Sequence, residues 1–448
     1  MKESMIIQPN NPSVNIVMRF IHMKQNRFLN HTNMRVYPAQ MSTQSLGRFR
    51  VRATTPNLAP ISNATVTISS ASFPSTIFDQ LSTDESGLTP VIELPAPSID
   101  YSLAPSTVQP YAEYTVNIAA PNFIPVTVQN AEVLPDVTAI QSATMNVQET
   151  PDTAALYVIP PHTLYGDFPP KIAEAEIKET LETGEIVLPE VVIPEYVVVH
   201  DGPPTDKSAK NHYVRFRDYI KNVASSEIYA TWPETTIYAN VLAILSFTLN
   251  RVFTEWYRNQ GFNFTITSST AFDHKWIPGR NIFDNISFIV DSIFTNYLSR
   301  PNIKQPILTQ YCDGVRVKCP NWLSQWGSKD LGDQGKSAIE ILRHYYGDTI
   351  FINTAEEVSG VPASWPGSNL TIGSSGASVR MIQEQLNKIS DTYTLIPKVA
   401  VNGQFNEQTA DAVSKFQQIF DLPSTGIVDF PTWYKISAIY VAVARLAE

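Results

Sequence analysis

Residues 216–251 read FRDYIKNVASSEIYATWPETTIYANVLAILSFTLNR, and the periods inside this stretch decide what kind of domain the middle of the chain forms. Phe216, Tyr219, Ile220 and Val223 recur at helical spacing, and Ile237, Val241, Ile244, Leu245, Leu249 and Phe253 do so again after a break. Pro233 sits where a first helical turn tolerates it, behind Thr231 as a candidate cap, so a second helix is predicted to start just after Trp232. Glu227 then lies at or near a junction between two helices. A further stripe, Ile286, Ile289, Val290, Ile293, Phe294 and Tyr297, makes residues 213–353 a mainly α (α+β) domain.

Working outward, the pattern on the N-terminal side is β. Short alternating runs such as residues 48–53 and 64–69 are separated by turn clusters, among them Thr83-Asp84-Glu85-Ser86-Gly87 and Leu94-Pro95-Ala96-Pro97. Residues 47–148 are therefore predicted to form an all-β sandwich of antiparallel strands, behind an N-terminal arm at 1–46. Between sandwich and helices, 149–212 is rich in Pro, Glu, Ile and Val, as in EIVLPEVVIPEYVVVHDGPPTD. Prolines at this density predict an extended linker, open to proteases, part of which docks as a strand. On the C-terminal side a Gly/Pro/Ser-rich gap at 354–369 precedes a module at 370–448 with three helical segments. They are marked by Val379, Ile382 and Leu386, by Ala412, Val413 and Phe416, and by Trp433, Ile436 and Ile439.

The bulk numbers narrow the function classes. At 448 residues the chain is long for one core, and a prior of roughly 150 residues per domain implies about three. A formal net charge of -10 supplies no global field for nucleic acid or an anionic membrane. No run of about 18 apolar residues stands out as a membrane span, and residues 1–30 lack the apolar core and cleavage site of a signal peptide. Two cysteines, Cys312 and Cys319, are compatible with a disulfide, two buried thiols, or two ligands of one metal with His274 or His344 as further candidates. No metal site or cofactor is assigned.

Two resemblances follow from particular residues. GSSGASVRMIQEQLN, followed by VNGQFNEQTADAVSKFQQIFDLPSTGIVDFPTWYKI, resembles the peptidoglycan-binding module of cell-wall hydrolases, with Gly373, Gly376, Val379, Gln383, Leu386, Gly403, Thr409, Phe416, Gln417, Gly426, Thr432 and Trp433 at matching positions. Gly403 and Gly426 are expected to permit tight turns and Thr409 and Thr432 to begin helices, with Phe416 and Trp433 in the core. The central stretch, together with LSQWGSKDLGDQGKSAIEILRHYYG at 323–347, resembles the stage II sporulation protein D family of lytic transglycosylases. That resemblance puts the catalytic acid at Glu227 and a sugar-binding segment at Ser324, Gln325 and Trp326. The chain departs from the family where VRVKCPNWLSQWG replaces its Gly-His-Gly-Val-Gly-Met run. The domain order, together with a sandwich whose turn grammar resembles the carboxypeptidase-regulatory-like domains, is similar to that of the clostridial spore cortex-lytic enzymes.

What the resemblance implies is a peptidoglycan lytic transglycosylase of spore cortex or cell wall, outside the cytoplasm, made as a zymogen and activated by a subtilisin-like protease. Its partners would be glycan strands. Such an enzyme cleaves the bond from N-acetylmuramic acid to N-acetylglucosamine without water, so one carboxylate can serve as acid and then base, whereas hydrolytic glycosidases generally need two. Burial beside Trp232 or Tyr229 would suit Glu227 to that task. Asp273 is the candidate for orienting substrate or for a second carboxylate, which would make the enzyme a hydrolytic muramidase. A non-catalytic wall-binding protein is the remaining alternative.

Overall fold

Strand β1 (Ser45–Thr54) alternates strictly: Phe49, Val51 and Ala53 are fully buried, while Arg48, Arg50 and Arg52 face the other way. That single period-2 pattern sets up both the sandwich core and a basic outer face. In this computed structural model, which describes residues 45–148, 154–178 and 190–444, β1 is followed by β2 (Thr65–Ser70), β3 (Ile77–Ser82), β4 (Ile92–Ala96), helical turn α1 (Asp100–Leu103), β5 (Ala112–Ala119), β6 (Val126–Val133), β7 (Thr138–Thr144) and β8 (Ala155–Val158). One sheet runs β3-β2-β5-β6-β8, and the other contains β7-β1-β4. The N-terminal half is thus built of sheets and the rest mainly of helices. The sandwich does not close at residue 148. β8 adds to β6 in parallel, and Ile282–Phe283, far along the chain, pairs antiparallel with β7. The N-terminal arm, apart from Ser45 and Leu46, lies outside the described residues.

The expected open linker is not what the structure shows for the described parts of 149–212. After β8 the chain packs down: His162 is fully buried, and Leu164 and Lys178 nearly so. Its prolines remove local ladder hydrogen bonds, but remote side chains supply replacements. Gln310 Nε2 donates to Ile172 O, Gln305 Oε1 accepts from Lys178 N, and Arg316 donates to Thr163 O and Tyr165 O. Farther on, β9 (Val192–Ile193), β10 (Tyr196–His200) and β11 (Asn211–Arg215) belong to the helical domain, β10 pairing with both β11 and Ile266–Thr267.

The two helices read from the central stretch are α2 (Phe216–Glu227) and α3 (Glu234–Phe253). Pro233, not Thr231, stands at the N-cap of α3. Thr231 instead donates to Ser102 Oγ of the sandwich. By length and composition α3 could cross a membrane, yet from Thr236 to Phe253 every residue but Tyr238 is buried inside the domain. A helix apolar all round is then a core helix. Its buried amides donate inside the domain: Asn240 to Ser328 Oγ, and Asn250 to Pro306 O. Helices α4 (Asp284–Ile293), α5 (Gln325–Asp333) and α6 (Ala338–Tyr346) complete the layer, and α7 (Ala377–Ser390), α8 (Glu407–Ile419) and α9 (Phe430–Ala444) form the C-terminal module.

In that module two buried glutamines do the same job twice. Gln383 Oε1 accepts from Gly403 N while its Nε2 donates to Thr409 Oγ1, and Gln417 does the same for Gly426 N and Thr432 Oγ1. Both glycines have positive φ, +72° and +69°. The threonines do not open the helices as expected. Asn406 and Asp429 cap them, accepting from the backbone N–H of Thr409 and Thr432 three residues on. Phe416 and Trp433 are core residues, 0% and 1% exposed.

Buried charge fastens the sandwich to the helices. Arg280 donates through both terminal nitrogens to Glu132 of β6 at 2.6 Å, with both side chains almost wholly buried. Burial pushes the Glu132 carboxyl up, and Arg280 opposes that shift. Replacing Glu132 with glutamine strands the guanidinium and is expected to cost the full chain about 3–5 kcal/mol in urea denaturation. A loss below about 1 kcal/mol, the range of exposed pairs, would show that this pair does not join the two parts.

Candidate active site

Glu227 is the last residue of α2. The chain turns extended at Ile228, whose N–H still reaches Ala224 O, and the side chain is only 4% exposed. A carboxylate at that depth needs donors. Lys275 N donates to Oε1 at 2.8 Å. Toward Oε2 come Gln325 Nε2 at 3.3 Å, which also donates to the Glu227 carbonyl at 2.8 Å, and Thr163 Oγ1 at 3.2 Å, whose one proton has a nearer acceptor in Ser226 O at 2.8 Å. Burial and the charge of Glu227 push the Tyr311 hydroxyl well up. Three separate stretches of chain therefore bond to one side chain.

Aromatic rings wall the site. Trp232 and Trp326 lie 5.0 Å apart between centroids, and Tyr229 meets both edge-on, with all three nearly buried. Behind Glu227, Tyr311 OH and His274 Nδ1 are 2.7 Å apart, and the His274 ring stacks on Tyr311. Burial, with the Lys171 and Arg251 cations nearby, holds the His274 imidazole well below its usual range, so it is neutral. Which of His274 Nδ1 and Tyr311 Oη donates is set by the imidazole tautomer. His274 Nε2 has no partner among the described residues. The Lys171 ammonium lies over the Tyr311 and Phe247 rings and donates to Asp273 O, and burial lowers its pKa against the pull of Glu227 and Asp273.

The structure gathers Glu227, Gln325, Trp326 and Trp232 in one place. Ser324 is close by but occupied as the N-cap of α5, its Oγ accepting from Gly327 N at 3.0 Å. Gly327 has no room for a Cβ, which would fall 2.3 Å from Tyr345 Oη.

Asp273 does not join the site as expected of a substrate-orienting group or second carboxylate. It is fully buried, with Oδ1 accepting from Arg251 Nε at 2.7 Å and Oδ2 from Tyr257 Oη, Thr267 N and Thr267 Oγ1 at 2.7, 2.9 and 2.7 Å. These four bonds use the lone pairs a carboxylate has to offer. Its role is to anchor Arg251, which also forks onto Glu174.

Thr163, Lys275, Tyr311 and the pairing of Tyr311 with His274 had no signature in the sequence, since a backbone N–H or a lone tyrosine follows no spacing rule. Cys312 and Cys319 are joined as a disulfide, Cα to Cα 5.6 Å, closing the loop that carries Arg316.

Residues 375–436 match a family model described as "Putative peptidoglycan binding domain". The C-terminal module is thus a peptidoglycan-binding domain, which associates the protein with the cell wall. Among curated proteins none matches the chain. Two solved structures share slight likeness. The 3-chlorocatechol 1,2-dioxygenase of Rhodococcus opacus 1CP is 15% identical at a TM-score of 0.17 over 28% of this chain and 62% of that one. The chlorocatechol 1,2-dioxygenase of Pseudomonas putida is 12% identical at 0.16 over 32% and 75%. The chain spans under two thirds of the first enzyme's length, and similarity at these scores carries no argument.

Arg251→Met is expected to destabilise the protein by about 3–5 kcal/mol, because it leaves Asp273 buried and unpaired, and Asp273→Asn by less, because Glu174 still pairs with Arg251. The double change should cost less than their sum in equilibrium denaturation. Additive losses would mean that Asp273 has another task.

Proposed function

We propose that the central domain is a peptidoglycan lytic transglycosylase with Glu227 as its single acid and base, held to the wall by the C-terminal module. Glu227 gives its proton to the oxygen leaving C1 of N-acetylmuramic acid, the C6 hydroxyl attacks C1, and its proton passes to Glu227. The glycosidic bond is exchanged for a 1,6-anhydro bond, no water is consumed, and the acid is regenerated. The observation that carries this reading is the environment of Glu227: one buried carboxylate at a helix junction, bonded by Gln325, whose chain neighbour Trp326 packs on Trp232. Full engagement of Asp273 with Arg251 and its neighbours favours this chemistry over hydrolysis, which would call on a second carboxylate. Gln325 and the Lys275 N–H fix the carboxylate while its proton moves.

Closure of the site supports a zymogen. Thr163 Oγ1 lies 3.2 Å from Glu227 Oε2, where a glycosidic oxygen would bind, and Arg316 holds the carbonyls of Thr163 and Tyr165. The sandwich adds a second cover: Ser102 O accepts from Trp232 Nε1, and the Tyr111 hydroxyl accepts from His162 N. A subtilisin-like protease acting on spore cortex or wall enzymes would relieve this by cutting between Lys178 and Glu190, C-terminal to Thr163, so that both covers lie on the released side of the cut. The enclosure of Glu227 also fits a wall-binding protein that has lost its chemistry, and activity measurements separate the two.

Glu227→Gln is expected to lower glycan release from purified sacculi by about 10²–10⁴-fold while leaving the protein's retention on sacculi unchanged. Equal release by both proteins would remove Glu227 from the mechanism. Inserting a specific protease site between Lys178 and Glu190 and cutting there should raise the turnover of the otherwise intact protein. Unchanged turnover after complete cleavage would end the zymogen reading.

A further inference from the structure

Away from Glu227, where the sandwich, α2 and the C-terminal module meet, lies a cavity of about 460 Å³. Its charge is unusual for this chain. Asp291, 2% exposed, takes Lys221 Nζ at 2.6 Å and Arg217 Nη1 at 3.1 Å, with Lys435 Nζ 3.6 Å away. Asp421 takes Arg50 at 2.8 Å and Arg52 at 2.6 Å. Lys435 lies between the two groups, its charge felt by both carboxylates. Five cations thus share two carboxylates in a protein whose formal charge is -10. The other charged lining groups do not restore the balance. Arg280 is neutralised by Glu132, Arg215 lies over the Tyr196 ring, and Glu195 and Asp218 are the remaining acids, so two positive charges stay in excess.

Two further observations point to a missing acceptor. Arg52 Nη1 and Trp276 Nε1, both on residues lining the cavity, are buried donors with no hydrogen-bond partner among the described residues. Burial pushes the Lys435 ammonium down to about 8, with Asp291 opposing and Lys221 and Arg217 adding to the shift. Beside these donors the walls are aromatic. Phe420 lies under Arg52 and Phe294 under Arg217. A guanidinium edge, an ammonium and an indole N–H over ring faces suit a carboxylate attached to a sugar or peptide body, and the cavity falls within the range of about 300–1,000 Å³ usual for small-molecule sites.

We propose that this junction cavity binds a carboxylate-bearing peptidoglycan fragment, a muropeptide held by the acid of its stem peptide. The choice of ligand rests on the peptidoglycan-binding module, whose Phe420, Asp421 and Lys435 form one wall, and is independent of the Glu227 chemistry. A ligand there touches three parts of the protein at once, so occupancy raises the thermal stability of the docked arrangement.

The test is calorimetric titration of the full chain with a purified disaccharide-tetrapeptide, with the same compound after amidation of its carboxyls, and with inorganic phosphate. The acid form should bind, and amidation should weaken it at least tenfold. Arg52→Gln and Lys435→Met should each weaken it by about tenfold, and Glu227→Gln should not change it. Because the first two variants also disturb module docking, Trp276→Phe is the cleaner probe: it breaks no ion pair and should still weaken binding several-fold. No binding of the acid form, or binding that Trp276→Phe and Lys435→Met both leave unchanged, would overturn the proposal. Phosphate binding as tightly as the muropeptide would overturn its assignment to a wall fragment.

Discussion

A carboxylate 4% exposed must be met by donors, and satisfying Glu227 organises the middle of this protein. Its partners come from residue 163, from 275 and from 325. α2 must therefore end where the segment after the sandwich, the loop after Ile266–Thr267, and the start of α5 all pass. The buried α3 provides the platform that makes this convergence possible. Arg251 near its C-terminal end ties down Asp273, and so the backbone leading to His274 and Lys275, while Asn240 and Thr236 hold Ser328 of α5. Structural ion pairs and a candidate acid thus occupy neighbouring positions but carry opposite assignments: Asp273 is saturated, and Glu227 is held by groups that a substrate could replace.

The same logic of long-range polar contacts joins the parts. The outward arginines of β1 reach Asp421 of the wall-binding module, and Arg217 of α2 reaches the Tyr434 carbonyl on α9. Tyr393 Oη donates to Leu58 O of the sandwich. The sandwich is consequently more than a spacer. It supplies Glu132 to Arg280, covers Trp232, and takes two of its strands from outside residues 47–148.

Sequence patterns revealed what local periodicity controls and missed what distant partners control. The stripes through Val223, Ile244 and Ile289 marked α2, α3 and α4 because one buried face repeats every three to four residues. Alternation at Phe49, Val51 and Ala53 marked β1 in the same way. In the C-terminal module Gln383, Gly403 and Thr409, with Gln417, Gly426 and Thr432, stood out as a pattern because their hydrogen bonds fix both identity and spacing. Residues 154–178 were misread since their proline content does describe the backbone, but the side chains that satisfy it, Gln305, Gln310 and Arg316, lie more than 120 residues away. Asp273 was misread for a related reason. Its partners Arg251 and Tyr257 sit on and just after a helix, and only the folded chain puts them opposite it.

The central claim is that one carboxylate breaks a glycosidic bond without water. Digestion of peptidoglycan by the cleaved protein in ¹⁸O-enriched water, read by mass spectrometry, addresses it most directly. The account predicts anhydro-muramic ends carrying no ¹⁸O. Reducing ends labelled with ¹⁸O would contradict it, because they would require an attacking water and a second group to activate it.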